Sequence, residues 1–175
     1  MTPERFVIVA LGLLVCALAG RQAVLALAAR RRRAERTGRR ILFPFAGDAL
    51  SEPVLDAALR LARAERATLV PAYLGVVPLV LPLGAALPRQ VGEAIPLLEA
   101  VEQRATRAGV AVDSRIERGR DRRHALRELL EHEPYDRLVV AAGPGGGFGA
   151  EDVGWLLDRA EGEVLVVRPA RSDPA

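Results

Sequence analysis

Two periods of hydrophobic and polar positions alternate along the chain. Short apolar runs of strand length are separated by segments in which apolar residues recur every three or four positions, as on one face of a helix. The predicted strands are 40–45, 67–76, 110–118, 135–142 and 163–168, and the predicted helices are 51–65, 91–109, 121–133 and a fourth after the glycine-rich stretch 143–149. Because a helix separates successive strands, the pattern predicts an α/β domain with a five-stranded parallel sheet and helices on both faces.

Capping residues mark the ends of these helices. Ser51 and Asp121 stand at the expected N-cap positions, and Gly109 stands where the second helix should end. We expect the loop after the fourth strand to lie at the carboxyl edge of the sheet, where such sheets bind ligands.

The N-terminal segment has a different pattern. Fifteen uncharged, mostly apolar residues (6–20) are followed by Arg21, a second apolar stretch and the arginine-rich block 30–40. A helix of fifteen residues spans about 22 Å, which is shorter than the hydrocarbon core of a membrane. Extension of the helix to Ala29 gives about 36 Å, which is long enough but places Arg21 inside the core. Three interpretations remain open: a cleaved signal peptide ending near Ala19, a buried core helix, and an uncleaved signal anchor.

The arginine block favours the signal anchor, because cytoplasmic flanks of membrane helices are rich in basic residues. The predicted organisation is a transmembrane anchor (1–29), a juxtamembrane linker (30–40) and a cytoplasmic domain (41–175), giving a single-pass protein of the cell membrane. The linker would also attract anionic lipid. The candidate membrane-contact residues are Gly12, Cys16 and Gly20, a small-residue stripe, and Arg21, which would snorkel or meet a polar partner.

Composition excludes several functions. All 25 basic residues are arginine, so no P-loop or Schiff-base lysine exists. The single cysteine excludes an intrachain disulfide and a multi-cysteine zinc site. Residues 1–40 carry a net charge of +7 and the rest −4, within a total of +3, so the domain has no basic footprint for nucleic acid. No motif supplies a catalytic pair or metal cluster, and we expect a protein that is not an enzyme.

Residues 40–169 resemble the universal stress protein family. The chain has "ILFPFAGD" where the family has a first strand of the form I-L-V-P-x-D-x-S. The family ends with a glycine loop, a helix and a strand, and the matching part of this chain has "GPGGGFGA", a helix and "EVLVVRP". The stretch "VVPLVLPLGAALP", followed by "IERGRDRRHALREL", is similar to membrane-tethered actinobacterial members and to stress-protein domains fused to transporters. The resemblance implies the strand order 3-2-1-4-5, ATP binding in some members and dimers in many.

The resemblance also implies the position of a nucleotide site. The family's phosphate loop has glycine, two residues, glycine, nine residues, then glycine with a hydroxyl residue. Here the third glycine follows after only two residues, and alanine replaces both the hydroxyl and the first-strand aspartate. The matching positions are Phe45, Ala46, Gly47, Asp48, Gly143, Gly146, Gly149 and Ala150. Glu151 and Asp152 add negative charge at the helix start, where it opposes phosphate. We interpret this as a degenerate site with no cofactor; the alternative is retained ATP.

Three further stretches allow more than one interpretation. Residues 145–150 also trace a dinucleotide-binding fingerprint, but too little chain follows for such a domain. The apolar loop 76–88 is either a lid packed on its own sheet or a surface that docks against a membrane protein or lipid. The arginine-rich segment 117–124 is predicted to be a solvated turn rather than an anion site.

Two functions are consistent with these observations. The first is a membrane-tethered, non-catalytic regulatory or adaptor module that acts through protein contacts; the alternative is a stress-response module that responds to ATP or another adenine nucleotide. The last strand would lie at a sheet edge, and we expect a homodimer there. Its candidate interface residues are Val164, Leu165, Val166 and Val167.

Overall fold

Five strands and four helices alternate along the domain, as the hydrophobic pattern predicts. The computed structural model describes residues 38–47, 50–85, 87–143 and 147–168. In chain order the elements are β1 (Arg40–Phe45), α1 (Glu52–Glu65), β2 (Thr68–Val76), α2 (Pro88–Ala108), β3 (Arg115–Gly119), α3 (Arg122–His132), β4 (Arg137–Ala141), α4 (Ala150–Arg159) and β5 (Glu163–Val167). The predicted anchor and residues 30–37 of the linker lie outside the described residues.

The sheet has the order β3-β2-β1-β4-β5, and all strand pairs are parallel, which confirms the predicted topology. A helix returns the chain after each strand. The strands therefore all end at one edge, here named the carboxyl edge, and the helices end near the opposite, amino edge. The winding reverses between β1 and β4, so ligands of such folds are expected where these two strands end.

Alternate residues of each strand contribute to separate hydrophobic clusters on the two faces of the sheet. Ile41, Phe43 and Phe45 of β1 pack with α1 and α2, whereas Leu42 packs with α3 and α4. Burial on both faces explains why the central strands are continuous apolar runs rather than alternating ones. Residues Gly38–Ala175 form a compact unit of their own. Among the described residues, no helix combines the length and apolar character that crossing a membrane requires.

Two of the predicted helix caps are present and one is incomplete. The Asp121 carboxylate accepts a 2.7 Å hydrogen bond from the backbone N–H of His124, which confirms the N-cap of α3. Gly109 ends α2 with a φ of 68°, the left-handed conformation that favours glycine at this position. Ser51 precedes α1 in an extended conformation, but its side chain makes no capping hydrogen bond.

The second helix begins earlier than predicted. It starts at Pro88 rather than at residue 91, because proline has a φ suited to the first helical turn and needs no hydrogen-bond acceptor there. The helix also continues through Pro96.

The predicted strand 110–118 is shorter in the structure, where β3 begins at Arg115. The preceding residues make one isolated bridge, between Leu69 and Val112, and regular pairing resumes at Ala72 and Arg115. The interruption lies beside Pro71. The backbone N–H and C=O of Leu69 bond toward the β3 side, so the position two residues later also faces that side, where proline has no N–H to donate.

Charged side chains close the amino edge around Arg40, the first residue of β1. Its side chain is only 12% exposed, and Nη2 donates to Asp113 at 2.8 Å and to Glu133 at 3.3 Å. Its Nε donates to the Pro134 carbonyl at 3.1 Å. Arg115 joins the same group, with Nε 2.9 Å from Glu133 and Nη2 2.8 Å from Asp113. This network links the starts of β1 and β3 to the end of α3.

The network changes the acidity of its members. Partial burial alone would raise the pKa of Asp113, but hydrogen bonds from Arg40 and Arg115 outweigh burial and hold that pKa below its ordinary value. Burial would likewise lower the pKa of Arg115, and its bonds to Asp113 and Glu133 raise it instead. Both groups therefore remain charged across the physiological pH range.

Candidate functional site at the carboxyl edge

The ends of β1 and β4 lie side by side, because these two strands are paired. Phe45 and Ala46 at the end of β1 are buried, and Gly47 follows with a φ of 84°. Beyond β4, Gly143 has a φ of 122°. Both glycines occupy conformations that other residues rarely adopt, as a turn that presents backbone to an anion requires. Asp48 and Gly146, also predicted site residues, lie outside the described residues.

Phe148 closes the glycine loop from within. Its backbone N–H donates to the Ala141 carbonyl at 2.7 Å, and its own carbonyl accepts from the N–H of Gly143 at 3.1 Å. Its ring is 1% exposed and packs in the same hydrophobic cluster as Ala46. The backbone N–H groups of Gly143 and Phe148 are thus occupied inside the loop. They cannot donate to a phosphate without a rearrangement of the loop.

Gly147 shows how tightly the loop folds on itself. A Cβ atom at this position would lie 2.4 Å from the Gly143 carbonyl oxygen and 2.9 Å from its nitrogen. Both are backbone atoms that cannot rotate away. Residue 147 must therefore be glycine for close packing within the loop, not for contact with a ligand.

Arg122, near the start of α3, holds the loop closed from outside. Its Nη1 donates to the Gly147 carbonyl at 2.9 Å, and its guanidinium carbon lies 5.8 Å from the centre of the Phe148 ring. The guanidinium thus contacts both residues between Gly143 and Gly149 that the structure describes. In this arrangement the Arg122 guanidinium interacts with a carbonyl oxygen and an aromatic ring rather than with a phosphate.

The N-terminus of α4, which lies beside the loop, is likewise occupied by side chains of the domain itself. Gly149 is the N-cap of α4 and Ala150 its first residue, so the helix begins where the sequence predicts. Glu151 and Asp152 lie in the first turn, and Arg123 of α3 contacts both, with Nη2 2.9 Å from Asp152 and 3.3 Å from Glu151. The hydrogen bond to Asp152 raises the pKa of Arg123. The positive end of the helix dipole is therefore satisfied by its own carboxylates.

The prediction of a solvated turn at 117–124 is wrong for all four of its arginines, each of which contacts another segment. Arg120 Nη1 donates to the carbonyls of Pro78 and Leu81, at 2.8 and 2.7 Å. Arg118 donates to the Ala85 carbonyl at 3.4 Å. Arg122 and Arg123, described above, contact the glycine loop and the start of α4. Segment 117–124 therefore contacts the glycine loop on one side and, on the other, the loop between β2 and α2 (the 77–87 loop). A run of arginines cannot reveal these partners, because the backbone carbonyls and carboxylates concerned are distant in sequence.

The loop between β2 and α2 is not packed against the sheet as a lid. Val77 is buried, but the side chains that follow it project into solvent, with Leu79 83% and Val80 90% exposed. The base of the loop is fixed by Gln90, which accepts from the Val76 N–H at 3.0 Å and donates to its carbonyl at 2.6 Å. The loop therefore presents an apolar tip from a base that is hydrogen-bonded on both sides.

Three residues that close the site, Phe148, Arg122 and Arg123, were not predicted from the sequence. Phe148 carried a usable signal, since a large aromatic side chain among glycines is unusual in a loop that must approach phosphate closely. Arg122 and Arg123 have no such signal in the sequence, because their contacts depend on how α3 packs beside α4.

The fold and the glycine loop at the switch point define an α/β protein with a parallel sheet of order β3-β2-β1-β4-β5, in which the described part of the glycine loop is closed. No family model matches the sequence, and the search of curated proteins finds no match. The solved structures do show similarity. A universal stress protein family member from Burkholderia pseudomallei is 25% identical, with a TM-score of 0.52 over 74% of this chain and 96% of that one.

Two other solved structures contain nucleotides. A universal stress protein in complex with cAMP is 21% identical, with a TM-score of 0.56 over 76% of this chain and 99% of that one. The protein from Archaeoglobus fulgidus in complex with dAMP is 14% identical, with a TM-score of 0.55 over 73% and 96%. The described domain has the universal stress protein fold, and the similarity to the Burkholderia pseudomallei protein supports the family predicted from the sequence.

Proposed function

We propose that this protein is a membrane-tethered universal stress protein module, held at the cytoplasmic face, that acts as a non-catalytic adaptor through protein contacts. The exposed apolar tip of the 77–87 loop carries the proposal. Leu79 and Val80 are almost fully exposed, although the loop base is fixed by Gln90 and Arg120. An exposed apolar group on a loop whose base is fixed is typical of a contact surface, because less ordering entropy then opposes binding there.

The closed glycine loop supports the same proposal by a separate route. Phe148 fills the loop, Arg122 covers it, and the carboxylates of α4 occupy the helix start. A partner that recognises the carboxyl edge would meet the apolar tip and the glycine loop together, since residues 118–123 contact both. The partner we propose is a membrane protein, which tethering would bring near the domain.

A photo-crosslinking side chain at position 80 of the full-length chain tests the proposal. In carbonate-washed membranes we expect the chain to be retained and, on irradiation, to form an adduct with one other membrane protein. The Leu79→Asp substitution should reduce the yield about tenfold, because burying a charge in an apolar contact is costly. A crosslinker at Arg127, an exposed position on α3, is the matched control.

Adducts of equal yield from positions 80 and 127 would contradict a specific contact at the loop. Release of the chain from the membranes by carbonate would contradict membrane attachment, but it would not contradict a protein contact at the loop.

The second candidate function is a nucleotide-responsive module. The cAMP and dAMP complexes of proteins with this fold favour it, together with the positive φ angles retained at Gly47 and Gly143. Both candidates place recognition at the carboxyl edge, but they differ in whether the glycine loop opens.

We predict that ATP binds to residues 38–175 weakly or not at all, because opening the loop would break the hydrogen bonds of Phe148 and Arg122. Isothermal titration calorimetry measures this directly, with cAMP as a second ligand. A dissociation constant of about 1 µM or tighter, about −8 kcal/mol of binding free energy, would favour the nucleotide-responsive module instead.

A further inference from the structure

The outer surface of α1 and α2 has a basic groove within a domain whose net charge is negative. The groove has a volume of about 370 Å³, and its charged lining residues are Arg60, Arg63, Arg104, Arg107 and Asp56. The positive charge is therefore local, and it is not a consequence of overall composition.

One of these arginines has a structural role and three do not. Arg104 bridges the two helices, with Nη2 2.7 Å from Asp56 and Nη1 3.4 Å from Glu52. Among the described residues, Arg60, Arg63 and Arg107 make no ion pair with an acidic side chain. These three side chains are exposed and carry their charges into solvent. Mutual repulsion among cations on one surface is unfavourable unless an anion neutralises it.

The groove lies toward the amino edge, where the chain enters the domain. α1 ends at Glu65 and α2 at Ala108, so Arg63 and Arg107 are both in last helical turns. Arg39, which is 61% exposed, directly precedes β1 at the same edge. The carboxyl edge, with the glycine loop and the apolar tip, is at the other end of the sheet.

Arg66, which directly follows α1 but does not line the groove, has an unusual conformation. It is the C-cap of α1 and has a φ of 52°, in the left-handed region where glycine is favoured. The side chain is exposed and lies beside the last turn of α1. A charged side chain thus stands where the backbone alone would favour glycine.

We infer that this groove binds the phosphate groups of anionic lipid headgroups, so that the amino edge of the domain docks on the membrane surface. Guanidinium groups bind phosphate oxygens through paired N–H donors, and several guanidiniums on one open surface fit an array of phosphates better than one small anion. The inference deepens the proposed membrane attachment and rests on it for the source of the ligand.

Vesicle co-sedimentation of residues 38–175 tests the inference. This part is the compact unit of the chain, and solved proteins of this fold match it over nearly their whole length, so it is suitable for study without residues 1–37. We expect binding to vesicles of phosphatidylcholine with phosphatidylglycerol and none to phosphatidylcholine alone. The Arg63→Gln/Arg107→Gln variant should bind about 30-fold more weakly, at about fivefold per arginine near an anionic surface.

The matched control is Arg89→Gln/Arg127→Gln, which removes the same charge from exposed arginines outside the groove. An equal loss in the control, or no binding by the unaltered domain, would overturn the inference. Displacement from the vesicles by inorganic phosphate at cellular concentration would also overturn it, because the groove would then be a site for a soluble anion. None of these results depends on the anchor, so failure of the groove is distinguishable from failure of membrane attachment.

Discussion

Replacing Arg40 by methionine is expected to lower the free energy of unfolding of the domain by about 3 kcal/mol. Methionine retains most of the apolar stem but leaves the partly buried carboxylates of Asp113 and Glu133 with Arg115 as their remaining guanidinium among the contacts described. The Pro134 carbonyl would also lose its donor. Urea unfolding of residues 38–175, followed by circular dichroism, measures the change.

The neighbouring residue provides the control for this substitution. Arg39 is 61% exposed and pairs with Glu65 at 3.2 Å, and Glu65 keeps a second partner, Arg137, at 2.9 Å. Arg39→Met should therefore change stability by less than about 1 kcal/mol, the usual range for surface pairs. Equal effects of the two substitutions would contradict the structural role of the Arg40 network.

The same network predicts how stability depends on pH. The folded-state pKa of Asp113 lies below its ordinary value of 3.8, so the folded state favours the charged carboxylate. Its contribution is fully present above the unfolded-state pKa and is lost as the pH falls through the folded-state pKa. Arg40→Met should reduce this acid-dependent loss, because one of the hydrogen bonds that lower the pKa would be absent.

Replacing Val166 by lysine is expected to convert a dimer of the domain into a monomer. β5 lies at the edge of the sheet, with β4 as its partner strand, and its Leu165 and Val166 are 42% and 37% exposed. An apolar edge strand of this kind favours pairing with a second copy, and a charge at its centre opposes such pairing. Sedimentation equilibrium of residues 38–175 measures the change.

The other edge of the sheet supplies a matched control. Ile116 of β3 is 38% exposed, so Ile116→Lys introduces the same charge with nearly the same loss of apolar surface. We expect this variant to remain a dimer. An unaltered domain that is monomeric at about 100 µM, a concentration that saturates interfaces of ordinary affinity, would refute the dimer. It would favour a different protein at the β5 edge.

The sequence determined the architecture, because strands and helices follow from local patterns of apolar and polar residues. Apolar runs such as 135–142 and periodic segments such as 51–65 gave the order of strands and helices, and the resemblance supplied the strand order. Gly109 and Asp121 marked helix ends through conformation and hydrogen bonding that depend on adjacent residues alone. The start of α4 after Gly149 followed from the spacing between the glycines and the last strand.

Only the tertiary structure decided the state of the candidate site. The sequence predicted a weakened phosphate loop from the alanines and the acidic residues of α4. The hydrogen bonds that close the loop at Phe148 are local, but the contacts of Arg122 and Arg123 join segments 25 and 29 residues apart. The basic groove likewise needs α1 and α2 side by side, although their arginines are more than 40 positions apart in the chain. Such contacts form when packing of the two hydrophobic clusters brings distant helices together, and no local pattern in the chain records them.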